Sequence, residues 1–82
     1  MESFDPEARI LKALAHPARM AIIAVLREDD ACVCHLETVL GFRQAVISQH
    51  LMTLRGSGLV TDRRVGSNVY YHVTDQRVFK VL

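Results

Sequence analysis

The sequence predicts a mainly α-helical fold with a β-hairpin, arranged as a winged helix-turn-helix. Half of the 82 residues are hydrophobic and none is tryptophan, and this aliphatic composition favours helices that pack on one another. Up to Arg55, apolar residues recur at helical spacing. Beyond Arg55, two segments rich in β-branched and aromatic residues flank the polar turn Gly66-Ser67-Asn68. A chain of this length makes one small domain, 1–82, with a thin core.

Two helices are predicted in the first 30 residues. Asp5 can cap the first helix, and Pro6 suits its first turn. His16-Pro17 ends it, because the residue before a proline is pushed out of helical geometry. The second helix begins at Pro17 and stops near the acidic stretch 28–30. The first helix has an apolar stripe of Ile10, Leu11 and Leu14, and the buried candidates of the second include Met20, Ile23, Val25 and Leu26.

A third and a fourth helix precede the hairpin. The third is predicted over residues 34–40 and ends at Gly41. The fourth follows the turn Phe42-Arg43 and runs to about Arg55, where two glycines close it. The predicted strands cover residues 59–65 and 69–73, with two arginines close to the tip, and residues 76–82 begin a further helix.

The fourth helix has a face that suits DNA. Ile47, Leu51 and Leu54 fall on its inward side, whereas Ala45, Ser48, Gln49 and Met52 share the opposite side. This outward face is short and uncharged, and it can exchange hydrogen bonds with base edges in a major groove. Arg43 and Arg55 flank it and could contact phosphates. The alternative is an ordinary solvated face, although such faces normally carry more Glu and Lys.

The charge distribution also suits a polyanion. Residues 1–42 carry four basic and seven acidic side chains, whereas residues 43–82 carry six basic and two acidic ones. No apolar run reaches the roughly 18 residues of a membrane span, and the first residues are acidic where a signal peptide would be basic. We therefore expect a cytoplasmic protein with reduced thiols and no membrane partner.

Cys32 and Cys34 are the only two cysteines, with Val33 between them. A disulfide across one residue is strained, because the bond needs Cα atoms about 4.4 to 6.8 Å apart and a near-perpendicular torsion. Thiolates are soft ligands that prefer As(III), Sb(III), Cd(II), Pb(II) or Zn(II) to hard cations. A helix N-terminus lowers the pKa of a thiol and so favours the thiolate. The pair therefore indicates a site for a thiophilic ion, and buried, inert cysteines are the alternative.

Three segments resemble the ArsR/SmtB metalloregulatory repressors: LKALAHPARMAIIAVL, CVCHLETVLGFRQAVISQHLMTLRGSGLV and RRVGSNVYYHV. The likeness extends from about Ile10 to Val73. The family pattern of Gln, then Val or Ile-Ser-x-His-Leu, then Leu-Arg-x-x-Gly-Leu-Val maps onto Gln44, Ile47, Ser48, His50, Leu51, Leu54, Arg55, Gly58, Leu59 and Val60.

The resemblance implies a homodimer that binds operator DNA and releases it when a metal ion binds. It implies that the fourth helix, with Gln44, Ser48 and Gln49, is the recognition helix. It places Arg63, Arg64, Ser67 and Asn68 in the wing, and Cys32 and Cys34 match the Cys-Val-Cys of the arsenic- and cadmium/lead-sensing branches. The family usually dimerises through its first and last helices. The last helix has barely begun at Leu82, which suggests truncation or a missing disordered tail. The apolar stripe of the first helix and residues 78–82 are expected to form the dimer surface.

The chain departs from the family pattern at three places. Glu37 stands where arsenic sensors carry a third cysteine, and Met1 to Phe4 contain none of the cysteines that cadmium sensors add. Two thiols can hold pyramidal As(III) with an exogenous third ligand, whereas tetrahedral ions would need helpers such as His35 and Glu37. As(III) or Sb(III) is therefore favoured over Cd(II), Pb(II) or Zn(II). Arg43 replaces the serine that usually caps the recognition helix.

Other functional classes remain open from the sequence. A redox or persulfide sensor could use the same two thiols. A small cysteine enzyme is disfavoured, because no acid stands at triad-like spacing from His35 and so short a chain is not expected to form a deep cleft. A winged helix used only for protein contacts would leave the arginines of the fourth helix and the hairpin without a purpose. His50 is expected to be structural, fixing the turn or the dimer surface, and His72 is expected to be a surface or partner-bonded histidine rather than a ligand.

Overall fold

A computed structural model describes residues 6–76 and 78–81, and these contain five helices and three strands. In chain order they are α1 (Pro6–Leu14), α2 (Pro17–Glu28), β1 (Ala31–Cys32), α3 (Val33–Leu40), α4 (Gln44–Gly56), β2 (Val60–Val65), β3 (Asn68–Val73) and α5 (Val78–Val81). The predicted helices and hairpin occur in the predicted order, and together they form a winged helix-turn-helix. None of the helices in the described ranges is long and apolar enough to cross a membrane.

The first two helices pack on the rest of the fold through narrower apolar stripes than the sequence predicted. Ile10 and Leu14 of the predicted stripe are buried, whereas Leu11 is exposed; Met20 is also exposed, so its predicted burial is wrong. Both side chains lie away from the inward stripe of their helix. That stripe includes Ala13 in α1 and consists of Ile22, Ile23 and Leu26 in α2. The predicted cap Asp5 lies outside the described residues.

The three strands form one antiparallel sheet in the order β1-β3-β2. β1 was not predicted, and its two residues pair with β3 as Ala31 with Tyr71 and Cys32 with Tyr70. The hairpin turn is shorter than expected, because Asn68 already pairs with Val65 as the first residue of β3. Helix α3 begins one residue earlier than predicted, directly after β1.

All the helices and β1, β2 and β3 contribute to one hydrophobic core. Its largest fully buried side chains are Ile22, Ile23, Leu36, Ile47, Leu51, Leu54, Leu59 and Val78. Val78 was expected to lie on a dimer surface, but it packs inside this core and is not available for such a contact. Because Leu36 of α3 and three residues of α4 share the core, these two helices are fixed against each other.

Candidate thiol site and nucleic-acid interface

The two thiols lie together where β1 ends and α3 begins. Both cysteines are free, and their Sγ atoms are 2.8 Å apart. Cys32 is the N-cap of α3, and its Sγ accepts a hydrogen bond of 3.4 Å from the backbone N–H of His35. Cys32 is buried whereas Cys34 is exposed, so one sulfur supports the helix and the other faces solvent.

The hydrogen bond between the thiols separates their acidities. It lowers the pKa of Cys32 below its ordinary value, helped by the backbone N–H of His35 and opposed by burial. The same bond raises the pKa of Cys34, together with a small loss of solvation and the negative charge of a Cys32 thiolate. Backbone N–H groups at the start of α3 lower the pKa of both thiols, in the direction expected for a helix N-terminus, but at Cys34 the bond to Cys32 outweighs them. The bond between the sulfurs thus favours the thiolate at Cys32 and opposes it at Cys34.

This coupling makes a testable prediction about thiol titration. In Cys34→Ala the donor to Cys32 is lost, so the pKa of Cys32 should rise. In Cys32→Ala the repulsive neighbour of Cys34 is lost, so the pKa of Cys34 should fall. Following thiolate absorbance in the ultraviolet against pH measures both changes, and the wild type should ionise in two steps. Two single-cysteine variants with the same titration midpoints as the two wild-type steps would contradict the coupling.

The two predicted helper ligands do not join the sulfurs. Within residues 6–76 and 78–81, no group of three or more His, Cys, Asp or Glu side chains is placed to hold a metal ion. Glu37 is half-buried in α3. His35 instead lines an open groove of about 690 Å³ between α2 and α3, with Val39 and Tyr70 among the other lining residues. The protein ligands that the structure brings together are therefore the two thiols.

The outward face of α4 is placed as the sequence predicted. Gln44, Ala45, Gln49 and Met52 are exposed, and Ser48 is half-buried. The opposite side holds buried Ile47, Leu51 and Leu54. Arg43 is the N-cap residue of α4, and its side chain makes no capping hydrogen bond.

The predicted phosphate-binding arginines fall into two kinds. Arg55 Nη1 lies 2.8 Å from Asp62 Oδ2, and Arg63 Nη2 lies 3.5 Å from Asp30 Oδ2. Within the described part of the chain, neither Arg43 nor Arg64 has such a carboxylate partner. The paired arginines must leave a carboxylate to reach a phosphate, whereas the other two are already available.

The wing consists of β2, β3 and the turn between them. Arg63, Arg64, Ser67 and Asn68 are all exposed on it. Arg63 pairs with Tyr70 and Arg64 with Val69 in the sheet register. Because directly paired residues project from the same face of a sheet, Arg63, Tyr70 and Cys32 form one cross-strand row.

A cluster that the sequence did not reveal positions α4. The rings of His16 and His50 lie 4.5 Å apart, and Arg19 Nε donates to His50 Nδ1 at 3.3 Å. Arg19 also donates to the carbonyl of Ala13 at 3.0 Å. Burial lowers the pKa of His50, as do the positive charges of His16 and Arg19. His50 therefore joins α4 to α2 through Arg19, and Arg19 extends the connection to α1. Arg19 and His50 are 31 residues apart in the sequence, so only the fold shows that they are partners.

Comparison with known proteins identifies the family. Residues 16–62 match the model of the bacterial regulatory proteins of the arsR family. The whole chain is similar to the helix-turn-helix-type transcriptional repressor SmtB of Mycobacterium tuberculosis, with 38% identity over 81 residues. That alignment covers 99% of the chain and 60% of SmtB, so the chain spans well under two thirds of this relative.

Solved structures agree with this match. HlyU of Vibrio cholerae superposes with a TM-score of 0.89 and 32% identity, covering 99% of the chain and 89% of HlyU. A second match is the homodimeric winged helix-turn-helix DNA-binding domain of a Mycobacterium bovis protein, a possible ArsR-family regulator. It superposes with a TM-score of 0.82 and 28% identity, covering 99% of the chain and 82% of that domain. On the matched motifs, the aligned length and the shared fold, the chain belongs to the arsR family of bacterial regulatory proteins.

Proposed function

We propose that this protein is a transcriptional repressor that binds operator DNA as a homodimer and releases it when a thiophilic ion binds Cys32 and Cys34. The observation that carries the proposal is the position of the two free thiols. They lie 2.8 Å apart at the first turn of α3, which shares the core with the DNA-facing helix α4. The names of relatives support repression, since SmtB is a transcriptional repressor.

DNA binding is supported by the exposed face of α4 and by the wing. Gln44, Ala45, Ser48 and Gln49 would contact base edges, and the arginines with Ser67 and Asn68 would contact the backbone. In a symmetric dimer, two recognition helices read half-sites about 34 Å apart, one turn of DNA. The M. bovis domain is homodimeric, and exposed Leu11 on α1 offers this chain an apolar dimer contact.

The geometry of the thiols supports a mechanism for release. With metal–sulfur bonds of about 2.3 Å, sulfurs at their present separation would give an angle of only about 75° at the ion. A tetrahedral ion would need the sulfurs about 3.8 Å apart. Binding therefore spreads the sulfurs. Since Cys32 Sγ is the N-cap of α3, this spreading changes the cap, and the shared core passes the movement to α4.

As(III) or Sb(III) fits this site better than Cd(II), Pb(II) or Zn(II). A pyramidal ion has narrower bond angles than a tetrahedral one, so it needs less spreading of the two sulfurs. It also needs only three ligands, of which two are the cysteines and the third can come from solution. A tetrahedral ion would need two more donors, and among the described residues no third His, Cys, Asp or Glu joins the pair.

The experiment uses reduced protein and a duplex selected from a random DNA pool by that protein. Fluorescence anisotropy should show binding that weakens steeply with salt, because each phosphate contact releases counterions. Parallel titrations with arsenite, antimonite, Cd(II), Pb(II) and Zn(II) should show release, at the lowest concentrations for arsenite and antimonite. Binding without salt dependence would reject the DNA assignment. A complex that persists with all five ions would reject the sensor assignment.

Thiol oxidation is a second candidate, favoured by the same short distance between the sulfurs. An oxidant such as hydrogen peroxide would join Cys32 and Cys34 in a disulfide and be reduced to water. The strain of a ring across one residue opposes this. Release by peroxide or by a persulfide donor in metal-free buffer, reversed by dithiothreitol, would favour this function over metal sensing.

A further inference from the structure

Asp30 connects the thiol segment to the wing. It lies between α2 and β1, two residues before Cys32. Its Oδ1 accepts a hydrogen bond of 2.7 Å from Nδ1 of His72 on β3, and its Oδ2 lies 3.5 Å from Nη2 of Arg63 on β2. One carboxylate therefore contacts both strands of the hairpin from the segment that leads into the thiol site.

The sheet reinforces this connection. Cys32 pairs with Tyr70, and Tyr70 pairs with Arg63. The carboxylate of Asp30 and the sulfur of Cys32 thus belong to one short segment, and that segment is hydrogen-bonded to the strand beside Arg63. A backbone movement at Cys32 would reach Asp30 through two residues of chain, and it would reach the strand beside Arg63 through the β1–β3 pairing.

The ion pair competes with DNA for the same cation. Arg63 is largely exposed on the wing, and a guanidinium engaged by a carboxylate has fewer donors for a phosphate. The paired state leaves the wing with less available positive charge, and the DNA-bound state needs that charge. An ion at the thiols that favours the paired state would therefore favour release.

We propose that Asp30 is a positioning residue that holds Arg63 away from DNA, and that an ion at the thiols strengthens this hold, which is already present when the thiols are free. Binding of the effector then changes both the position of α4 and the charge that the wing offers to DNA. This inference rests on the proposed function, because it concerns the same effector site. The chain supplies a matched control: Asp62 holds Arg55 in a similar pair at 2.8 Å, but it lies on β2 and is not in the thiol segment.

The experiment compares Asp30→Asn with Asp62→Asn, using the full chain, the selected duplex and arsenite as the probe. Each variant removes one negative charge and frees one arginine, so both should bind DNA more tightly than the wild type. The arsenite-induced loss of affinity should shrink roughly two- to fivefold in Asp30→Asn, the range expected for one exposed ion pair. It should stay unchanged in Asp62→Asn. Asp30→Glu should restore most of the wild-type response.

Testing Asp30→Asn in a protein that already carries Arg63→Gln distinguishes positioning of Arg63 from a purely structural role of Asp30. In Arg63→Gln, adding Asp30→Asn should no longer change the response to arsenite, because the partner of Asp30 is absent. Equal responses of Asp30→Asn and Asp62→Asn would overturn the inference while leaving the proposed function intact, and so would an effect of Asp30→Asn that persists in Arg63→Gln. If no ion releases the wild type, the proposed function fails and this inference fails with it. Thermal melts of each variant establish that it is folded.

Discussion

Operator DNA should remain bound to Cys32→Ser and to Cys34→Ser at arsenite concentrations that release the wild type. A serine at position 32 keeps the N-cap, because its Oγ can accept the His35 N–H that the sulfur accepts now. A hydroxyl does not replace a thiolate as a soft ligand. DNA affinity without effector should therefore stay close to that of the wild type. The ratio of DNA affinities without and with effector, typically about 5 to 150 for an allosteric protein, should fall to nearly one.

Cys32→Ala is the matched variant for this comparison. It also removes a ligand, but it leaves the His35 N–H without its acceptor, at a cost of about 1 kcal/mol in stability. Anisotropy titrations and thermal melts should therefore distinguish loss of the ligand from loss of the cap. Release of the two serine variants by the same arsenite concentration as the wild type would rule out the thiols as the effector site.

Leu54→Ala should strongly destabilise the fold. Leu54 is fully buried and faces the core shared by α3 and α4. Removing its branched end costs about 2 to 5 kcal/mol, from the lost transfer energy and the cavity left behind. The free energy of unfolding of a small domain is only about 5 to 15 kcal/mol, so much of the stability would be lost.

Met52→Ala on the same helix is the control. Met52 is 71% exposed, so its truncation should change the free energy of unfolding by less than about 0.5 kcal/mol. Urea unfolding followed by circular dichroism measures both variants at one protein concentration, because the stability of the proposed dimer would depend on concentration. Similar losses for the two variants would mean that α4 is not oriented as described.

The sequence was sufficient for the helices and the hairpin because their signals are local. Proline at position 17, glycine at position 41 and the β-branched segments determine boundaries within one or two residues. β1 could not be predicted, because a two-residue strand exists only through its pairing with β3, almost 40 residues away. Met20 was wrongly predicted to be buried, because the spacing of apolar residues does not distinguish a residue at the edge of the inward stripe from one within it.

The candidate site likewise has features that could be predicted from local sequence and features that could not. The adjacency of Cys32 and Cys34 and the exposed face of α4 follow from spacing alone, and both appear in the structure. The carboxylates opposite Arg55 and Arg63 do not follow from spacing. Asp30 meets its partners on β2 and β3 only after the sheet register is fixed, so no local pattern marks it. The expectation that the chain is not an enzyme is confirmed by its membership in a family of transcriptional regulators.

Cys32 is at once the last residue of β1 and the cap of α3, so no flexible residue separates the sheet from the helix. A strain applied to its sulfur has no intervening loop in which to relax. The strain must therefore be taken up by the hydrogen bonds between β1 and β3 and by the first turn of α3. Lengthening this junction by one glycine should therefore uncouple ligand capture from DNA release, even with both thiols intact.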